Sequence, residues 1–496
     1  ALEILDQVRE QEGLIVTSNR HAAMMTDIVN VDRFHMGWVG SPLEAEIMGI
    51  PQDSGYVQWV PAGLRFCLAY PTPVQTAADF SRVLRSERYR ELCRRRGETE
   101  VLAHLRRDAE EKGTPIEAVL QQMDSQSDHS GAVVHSSING IYDDGHPWAG
   151  VIATVDTSAH RMQFRIVTSD GRPKTVPQIV EDLNRSSDHQ VRIAWNGGYI
   201  LNAELVGKLG IPESYIGSPL GVIISDGRVV CPPLFNKPAF LVYPDGRLAI
   251  KRVSCAHGIT LSTTDRKVVM GATQRNPDAP GSDPAFYDLL YPHPVVPGDG
   301  RVVCRLAGNR IMEIHRTLAG QDLPVVPVGL TLSFPPQQFP GWQVGQELEI
   351  QLNGWPPLAH AIEAGPLLLG DGRVCIDMVI EGWKTENSIR TQAARLDYTD
   401  MRGPKIAIGL DASGGITVVA VNGRIRESVG ATHLDMARIL ESRGMVTAMG
   451  FDPGGSSTLV VDGRALNVSP YNHRYESNIY SLPPEPRVVA NAVIGY

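Results

Sequence analysis

Three short stretches of this 496-residue sequence set a polar side chain against unusually bare backbone. The first is GFDPGGSSTLVVDGR, Gly450–Arg464, where Asp452 precedes Pro453, Gly454, Gly455, Ser456 and Ser457. Glycines let backbone N–H groups approach a ligand oxygen, and the two serines add hydroxyl donors. The same residues also suit an Asx-turn with no ligand, and the sequence leaves both readings open. The second is VRIAWNGGYI, where Asn196 precedes Gly197 and Gly198. An Asn-Gly hairpin is the plain alternative, but the segment that follows, YILNAELVGKLGIPESYIGSP, does not read as a partner strand. The third is AHAIEAGPLLLGDGR, where Glu363 stands in apolar surroundings and must be paired, protonated or functional. A salt bridge to an arginine satisfies that requirement equally well. Two acids and an amide suit glycosidic chemistry, in which one group protonates the leaving oxygen and another activates water or attacks carbon. Asp452 and Glu363 are therefore the candidate catalytic residues.

Asn196 and Asp452 are each expected at the end of a strand. VRIAW and MVTAMGF read as buried strands, and STLVV begins the next one. Asp-Gly-Arg recurs between apolar runs, in SDGRVV, PDGRLAI, GDGRVV, GDGRVC and VDGRAL, and marks tight turns. Helices are sparse. THLDMARILESRG has a capping Thr432, Asp435 three residues on, and Gly444 to end it; Leu434, Ala437, Ile439 and Leu440 are its apolar positions. VPQIVEDLNRSS, from Val176, is the second candidate. The expected fold is α+β: a mostly antiparallel sheet domain with few helices over residues 129–496, preceded by a helix-rich, arginine-dense region over 1–128. QMDSQSDHSG marks the boundary. The N-terminal region reads as an accessory or cap of unknown role.

A net charge of −9 disfavours general nucleic-acid binding. No run of 18 apolar residues predicts a membrane span, and no signal-peptide pattern stands at the start. The sequence begins at Ala1 without Met, so the compartment is unassigned: cytoplasmic, or exported by an upstream segment. Six scattered cysteines without CxxC spacing predict no zinc site. NPDAPGSDPAFY opens like a calcium loop but has Tyr287 at its twelfth position. No metal and no cofactor are expected.

NGGY, SPLGVIISDGRVV, AIEAGPLLLGDGRV, PKIAIGLDASG, FDPGGSSTLVVDGR and RVVANAVIGY follow one another in an order that resembles the phosphodiester glycosidase family, over roughly residues 130–496. The resemblance implies hydrolysis of a sugar linked through its anomeric carbon to a phosphodiester. It places the family's Asn-Gly-Gly motif on Asn196, Gly197 and Gly198, its acidic turn on Asp452, Gly454, Gly455, Ser456 and Ser457, and its terminal pattern on Arg487, Ala490 and Asn491. Lys405 stands where an arginine is usual, Pro453 where a glycine is, and Tyr199 where phenylalanine is common. Lys405 and Arg487 are the expected phosphate contacts. Two other functions fit the same residues: a glycoside hydrolase acting on a non-phosphorylated α-glycoside, and a non-catalytic carbohydrate-binding or cell-envelope module.

Overall fold

The computed structural model describes residues 133–155, 162–168, 174–186, 190–201, 206–207, 209–383, 402–423, 428–469 and 486–496, with short pieces at 56–59, 66–69, 93–94, 97 and 101. The boundary stretch Gln122–Gly131 and most of the expected helix-rich region lie outside these residues. What is described there includes an antiparallel strand pair, Tyr56–Trp59 with Phe66–Ala69, so a helix-rich N-terminal region is not supported.

Three antiparallel sheets surround one core. The largest has seven strands, ordered Arg373–Val374, Leu367–Gly370, Thr447–Gly450, Lys405–Leu410, Ile416–Val421, Pro147–Val155 and Val133–Ile141. A second has five: Arg464–Ala465, Leu459–Val461, Ile193–Asn196, Asn491–Gly495 and Phe164–Thr168. A third also has five: Leu248–Arg252, Pro238–Val242, His360–Glu363, Ile223–Ser225 and Arg228–Cys231. Between the third sheet's Leu248–Arg252 and His360–Glu363 strands, shorter sheets are built from residues 259–352.

The alternation of side chains along a strand explains the layering. Ile406, Ile408 and Leu410 point inward with Ile416, Val418 and Ala420, onto a core shared with Ile193, Trp195, Val493 and Phe240. Ala407, Val419 and Val421 point outward, where Met436, Ala437 and Leu440 of the helix His433–Ser442 cover them. The second sheet repeats the device, its outer residues Ala194, Val460 and Ala492 packing on Val176, Ile179 and Val180 of the helix Val176–Ser186. Burying each such aliphatic side chain contributes about 1.5–3 kcal/mol. These are the two α-helices whose whole length is described.

The helix His433–Ser442 starts as the sequence predicts. Thr432 accepts from the Asp435 N–H at 3.0 Å, the Asp435 carboxylate accepts from the Thr432 N–H at 2.8 Å, and Gly444 takes φ +77° just beyond the end. Its buried face differs from the expected one: Leu434 is exposed, while His433 and Met436 are buried beside Ala437 and Leu440. The stripe runs 433, 436/437, 440, the true helical spacing, and Leu434 falls off it. Three Asp-Gly pairs form two-residue hairpins with both residues at positive φ: Asp226-Gly227, Asp371-Gly372 and Asp462-Gly463. Asp299-Gly300 has the same φ signs but joins no paired strands; its N–H groups bond instead to Gln321 and Leu318.

Candidate active site

Two buried aromatics set the register. Trp195 ends the run before Asn196, and Phe451 stands immediately before Asp452; their rings meet at 6.1 Å, edge to face. Trp195 also packs on Phe164 at 5.9 Å and Phe240 at 6.2 Å, tying the second sheet to the third. The polar residue that follows each aromatic therefore emerges at one place, although the two lie on different sheets.

There the motifs interlock. The Asn196 amide donates to the Asp452 carbonyl at 2.8 Å and accepts from the Thr458 N–H at 3.0 Å. The Asp452 N–H donates to the Gly197 carbonyl at 3.2 Å. The Gly198 N–H donates to the Asn491 side-chain oxygen at 2.8 Å, and the Gly197 N–H to the Asn491 carbonyl at 3.0 Å. Both glycines are required by contact. A Cβ on Gly197 would lie 2.0 Å from Asn491 Oδ1, and one on Gly198 would lie 2.2 Å from the Glu363 carbonyl oxygen. Asn196, Gly197, Gly198, Asp452 and Asn491 are thus brought together, with the backbone of Glu363 directly behind them.

The acidic turn continues as a single 3-10 turn, Gly454–Ser456, with Gly454 at φ +70°. Its Gly454 N–H donates to the Pro404 carbonyl at 2.9 Å, which docks the turn beside Lys405. Beneath it, the Ser457 carbonyl accepts from Asn467 at 2.8 Å and from the Ser469 hydroxyl at 2.7 Å. The Ser457 hydroxyl itself is buried and has no hydrogen-bond partner among the described residues. Asp452 is half-buried, and loss of water pushes its carboxyl up to about 6, against the opposing pull of the Ser456 hydroxyl bonded to it and the nearby Arg487 charge. Lys405 is buried at the start of its strand, whereas Arg487 is half-buried.

The Glu363 carboxyl has partners of its own. Glu363 is 3% exposed; one carboxylate oxygen accepts from the Val222 N–H at 3.0 Å and the other has no hydrogen-bond partner among the described residues. Burial raises it to about 8, opposed mainly by the charge of Lys237. Neither Asp452 nor Glu363 is among the charges that shift the other. The expected pair of acids is two acids in separate electrostatic surroundings, Arg487 at one and Lys237 at the other.

Two residues here escaped sequence reasoning. Lys237 is fully buried, its ammonium 3.7 Å from the Trp383 ring centroid, 3.9 Å from Phe235 and 5.5 Å from Tyr199. Glu381, also fully buried, accepts from the Leu367 N–H, the Trp383 indole and Arg252. A lone lysine in the apolar run LFNKPAFLVY was the available signal for the first. His473 and Arg474, in the tail SPYNHRYESN, lie outside the described residues. Among the described residues, no three metal-ligating side chains cluster, and no helix is long and apolar enough to cross a membrane.

Among curated proteins, an 87-residue stretch, 17% of this chain, is 32% identical to the SPbeta prophage-derived uncharacterized protein YomE of Bacillus subtilis (strain 168), and spans 14% of that protein's length. Among solved structures, similar chains include a hypothetical protein from Synechocystis (18% identity, 73% of this chain and 62% of that one, TM-score 0.44). A putative exported protein from Burkholderia pseudomallei K96243 is similar at 20% identity over 71% of this chain and 74% of that one, with a TM-score of 0.45. The catalytic domain of zebrafish N-acetylglucosamine-1-phosphodiester alpha-N-acetylglucosaminidase, auto-inhibited by its pro-peptide, is similar at 15% identity over 74% of this chain and 83% of that one, with a TM-score of 0.41. The family model for phosphodiester glycosidase matches residues 332–494, the span that holds Glu363, Lys405, the Asp452 turn, Arg487 and Asn491. Over those residues the chain is similar to the phosphodiester glycosidase family.

Proposed function

We propose that this protein hydrolyses the bond between the anomeric carbon of a sugar, such as an α-linked N-acetylglucosamine, and a phosphodiester, with Asp452 as the reacting acid. The observation that carries the reading is the junction at Asp452: an acid whose proton is held to about 6, bonded to Ser456, beside the Arg487 charge, and locked to the Asn-Gly-Gly and Asn491 motifs by hydrogen bonds. An acid poised there can give a proton to a leaving oxygen near neutral pH. Arg487 offsets the negative charge of the leaving phosphate. Asn196 and Asn491 hold the backbone that faces the sugar. Gly454 and Gly455 let the substrate close in, and the buried Ser457 hydroxyl is a remaining donor for it.

A second reading, hydrolysis of a neutral α-glycoside, draws support from Lys405. The residue expected to hold phosphate with Arg487 is buried at the start of its strand, which leaves Arg487 as the half-buried cation beside Asp452 among the described residues. The test compares turnover of a sugar 1-phosphodiester with that of an aryl α-glycoside by the same preparation. Preference for the phosphodiester supports the first reading, and preference for the glycoside the second. Turnover of neither, with sugar binding seen by calorimetry, would mean a binding module.

A further inference from the structure

The backbone on both sides of Asp452 is held by one short segment. The Phe451 N–H before it donates to the Ile406 carbonyl at 3.0 Å, and the Gly454 N–H after it donates to the Pro404 carbonyl at 2.9 Å. Whatever fixes residues 402–406 therefore fixes the acid. Ile406 lies inside the strand Lys405–Leu410, which is paired along its length with Ile416–Val421. Pro404 lies ahead of that strand and is held by other contacts.

Those contacts come from two glycine-bearing loops and a hairpin tip. The Gly403 N–H donates to the Ala431 carbonyl at 3.3 Å, and the Ala431 N–H donates back to the Gly403 carbonyl at 2.9 Å. A Cβ on Gly430 would lie 2.3 Å from the Gly403 carbonyl carbon, and one on Gly423 would lie 2.4 Å from the Pro404 nitrogen, so the backbones pack directly on one another. The hairpin tip between the strands Val133–Ile141 and Pro147–Val155 holds the segment's beginning. Its Tyr142 hydroxyl donates to the Gly430 carbonyl at 2.9 Å. The Arg402 guanidinium lies over the Tyr142 ring, 3.9 Å from its centroid, and donates to one Asp144 carboxylate oxygen at 2.5 Å. The other Asp144 oxygen accepts from the His146 N–H at 3.3 Å and stands 2.9 Å from His146 Nδ1. Arg402 is thus tied at its head, two positions before the carbonyl that holds Gly454.

We propose that Arg402 is a positioning residue: its ion pair with Asp144 at the hairpin tip clamps the Arg402–Pro404 segment, and through the Pro404 carbonyl it sets the Gly454 turn and Asp452. This rests on the reading of Asp452 as the reacting acid. Arg402 is half-buried and Asp144 exposed, so the pair adds little to global stability and acts on local geometry. Arg402→Met keeps the stem and removes the charge. Asp144→Ala removes the acceptor and leaves Arg402 charged. The double variant removes both ends of the clamp.

Amide hydrogen exchange is followed by mass spectrometry over residues 450–458 and, as a reference, over the strands Val302–Ala307 and Arg310–Arg316. Each single variant is expected to speed exchange at 450–458 by roughly tenfold or more, as loss of a charge-assisted hydrogen bond would, and to leave the reference strands and the Tm close to wild type. In turnover of the substrate that the wild type prefers, each single variant loses roughly 10- to 10²-fold in kcat, as a displaced acid would, with KM changing less. The double variant falls no further than the worse single one, because the two residues act as a unit. Wild-type kcat in Asp144→Ala beside a raised KM in Arg402→Met overturns the proposal and makes Arg402 a substrate contact. Unchanged exchange at 450–458 in both single variants overturns it too, as do losses of kcat that multiply in the double variant. If the wild type turns over neither substrate, the function proposed above fails while the exchange still decides the clamp.

Discussion

Asp452→Asn separates the function of the acidic turn from its stability. The folded protein holds the Asp452 proton to about 6, against 3.8 for a free carboxyl. The sign follows from linkage. Below about 4 the acid is protonated in both states and adds nothing. As pH rises from about 4 to about 6 the unfolded chain ionises while the folded one keeps its proton, so stability is lost over that window and stays lost above it. At about 1.4 kcal/mol per tenfold change in proton affinity, the displacement from 3.8 to about 6 amounts to about 3 kcal/mol, and water reaching the half-buried residue reduces this to about 1–3 kcal/mol. Asparagine keeps the size and the acceptor for Ser456 but has no proton to lose. The variant is expected to melt a few degrees above the wild type at pH 7.5 and level with it at pH 4, while turnover of a sugar 1-phosphodiester falls by roughly 10²- to 10⁴-fold. The wild-type rate should fall as pH rises through 6 if Asp452 acts as the acid. Differential scanning fluorimetry at the two pH values and initial rates on the same preparation check both halves. Turnover within tenfold of wild type refutes the catalytic role. A variant that melts below the wild type at both pH values refutes the electrostatic reasoning and makes Asp452 a turn residue.

Asn196→Asp replaces the amide donor facing the Asp452 carbonyl with an acceptor, and should cost about 1–3 kcal/mol in urea unfolding and most of the turnover. Gly198→Ala, which sets a methyl 2.2 Å from the Glu363 carbonyl, should move the loop and lower kcat/KM by tenfold or more, whereas Gly444→Ala beyond the helix end meets open space and should cost stability through its φ of +77° alone, with turnover kept. The thiols of Cys231, Cys255 and Cys304 are buried and pushed up by loss of water, so Ellman's reagent should label them only as fast as the protein unfolds, while half-buried Cys375 reacts in the native state.

What could be read from the sequence was local. Thr432 and Asp435 cap a helix by their own spacing, and Asp226, Asp371 and Asp462 turn hairpins because the following glycine accepts positive φ. The three polar motifs were visible because each carries its own bare backbone. Their assembly was legible only through the ordered family resemblance, since nothing in Trp-Asn-Gly-Gly states that its tryptophan will meet Phe451. The separation of the two acids was hidden for a related reason: a carboxylate's surroundings are set by the neighbouring strand, and Lys237 lies 126 positions before Glu363. The face of the helix His433–Ser442 was misjudged by treating Leu434 as apolar and therefore inside, when position along the turn decides it.

The strand Asn491–Gly495 occupies the middle of its sheet, between Ile193–Asn196 and Phe164–Thr168. Its hydrogen bond from Gly198 to Asn491 closes a loop of 293 positions. During synthesis, the two flanking strands leave the ribosome with a gap between them that only this much later segment can fill, and until it arrives each presents an unpaired edge. The last piece of the proposed site is therefore also the keystone of the sheet. Sheet closure and the acquisition of activity should coincide in time, and a chain released short of residue 491 would be both inactive and prone to stick to its neighbours through those open edges.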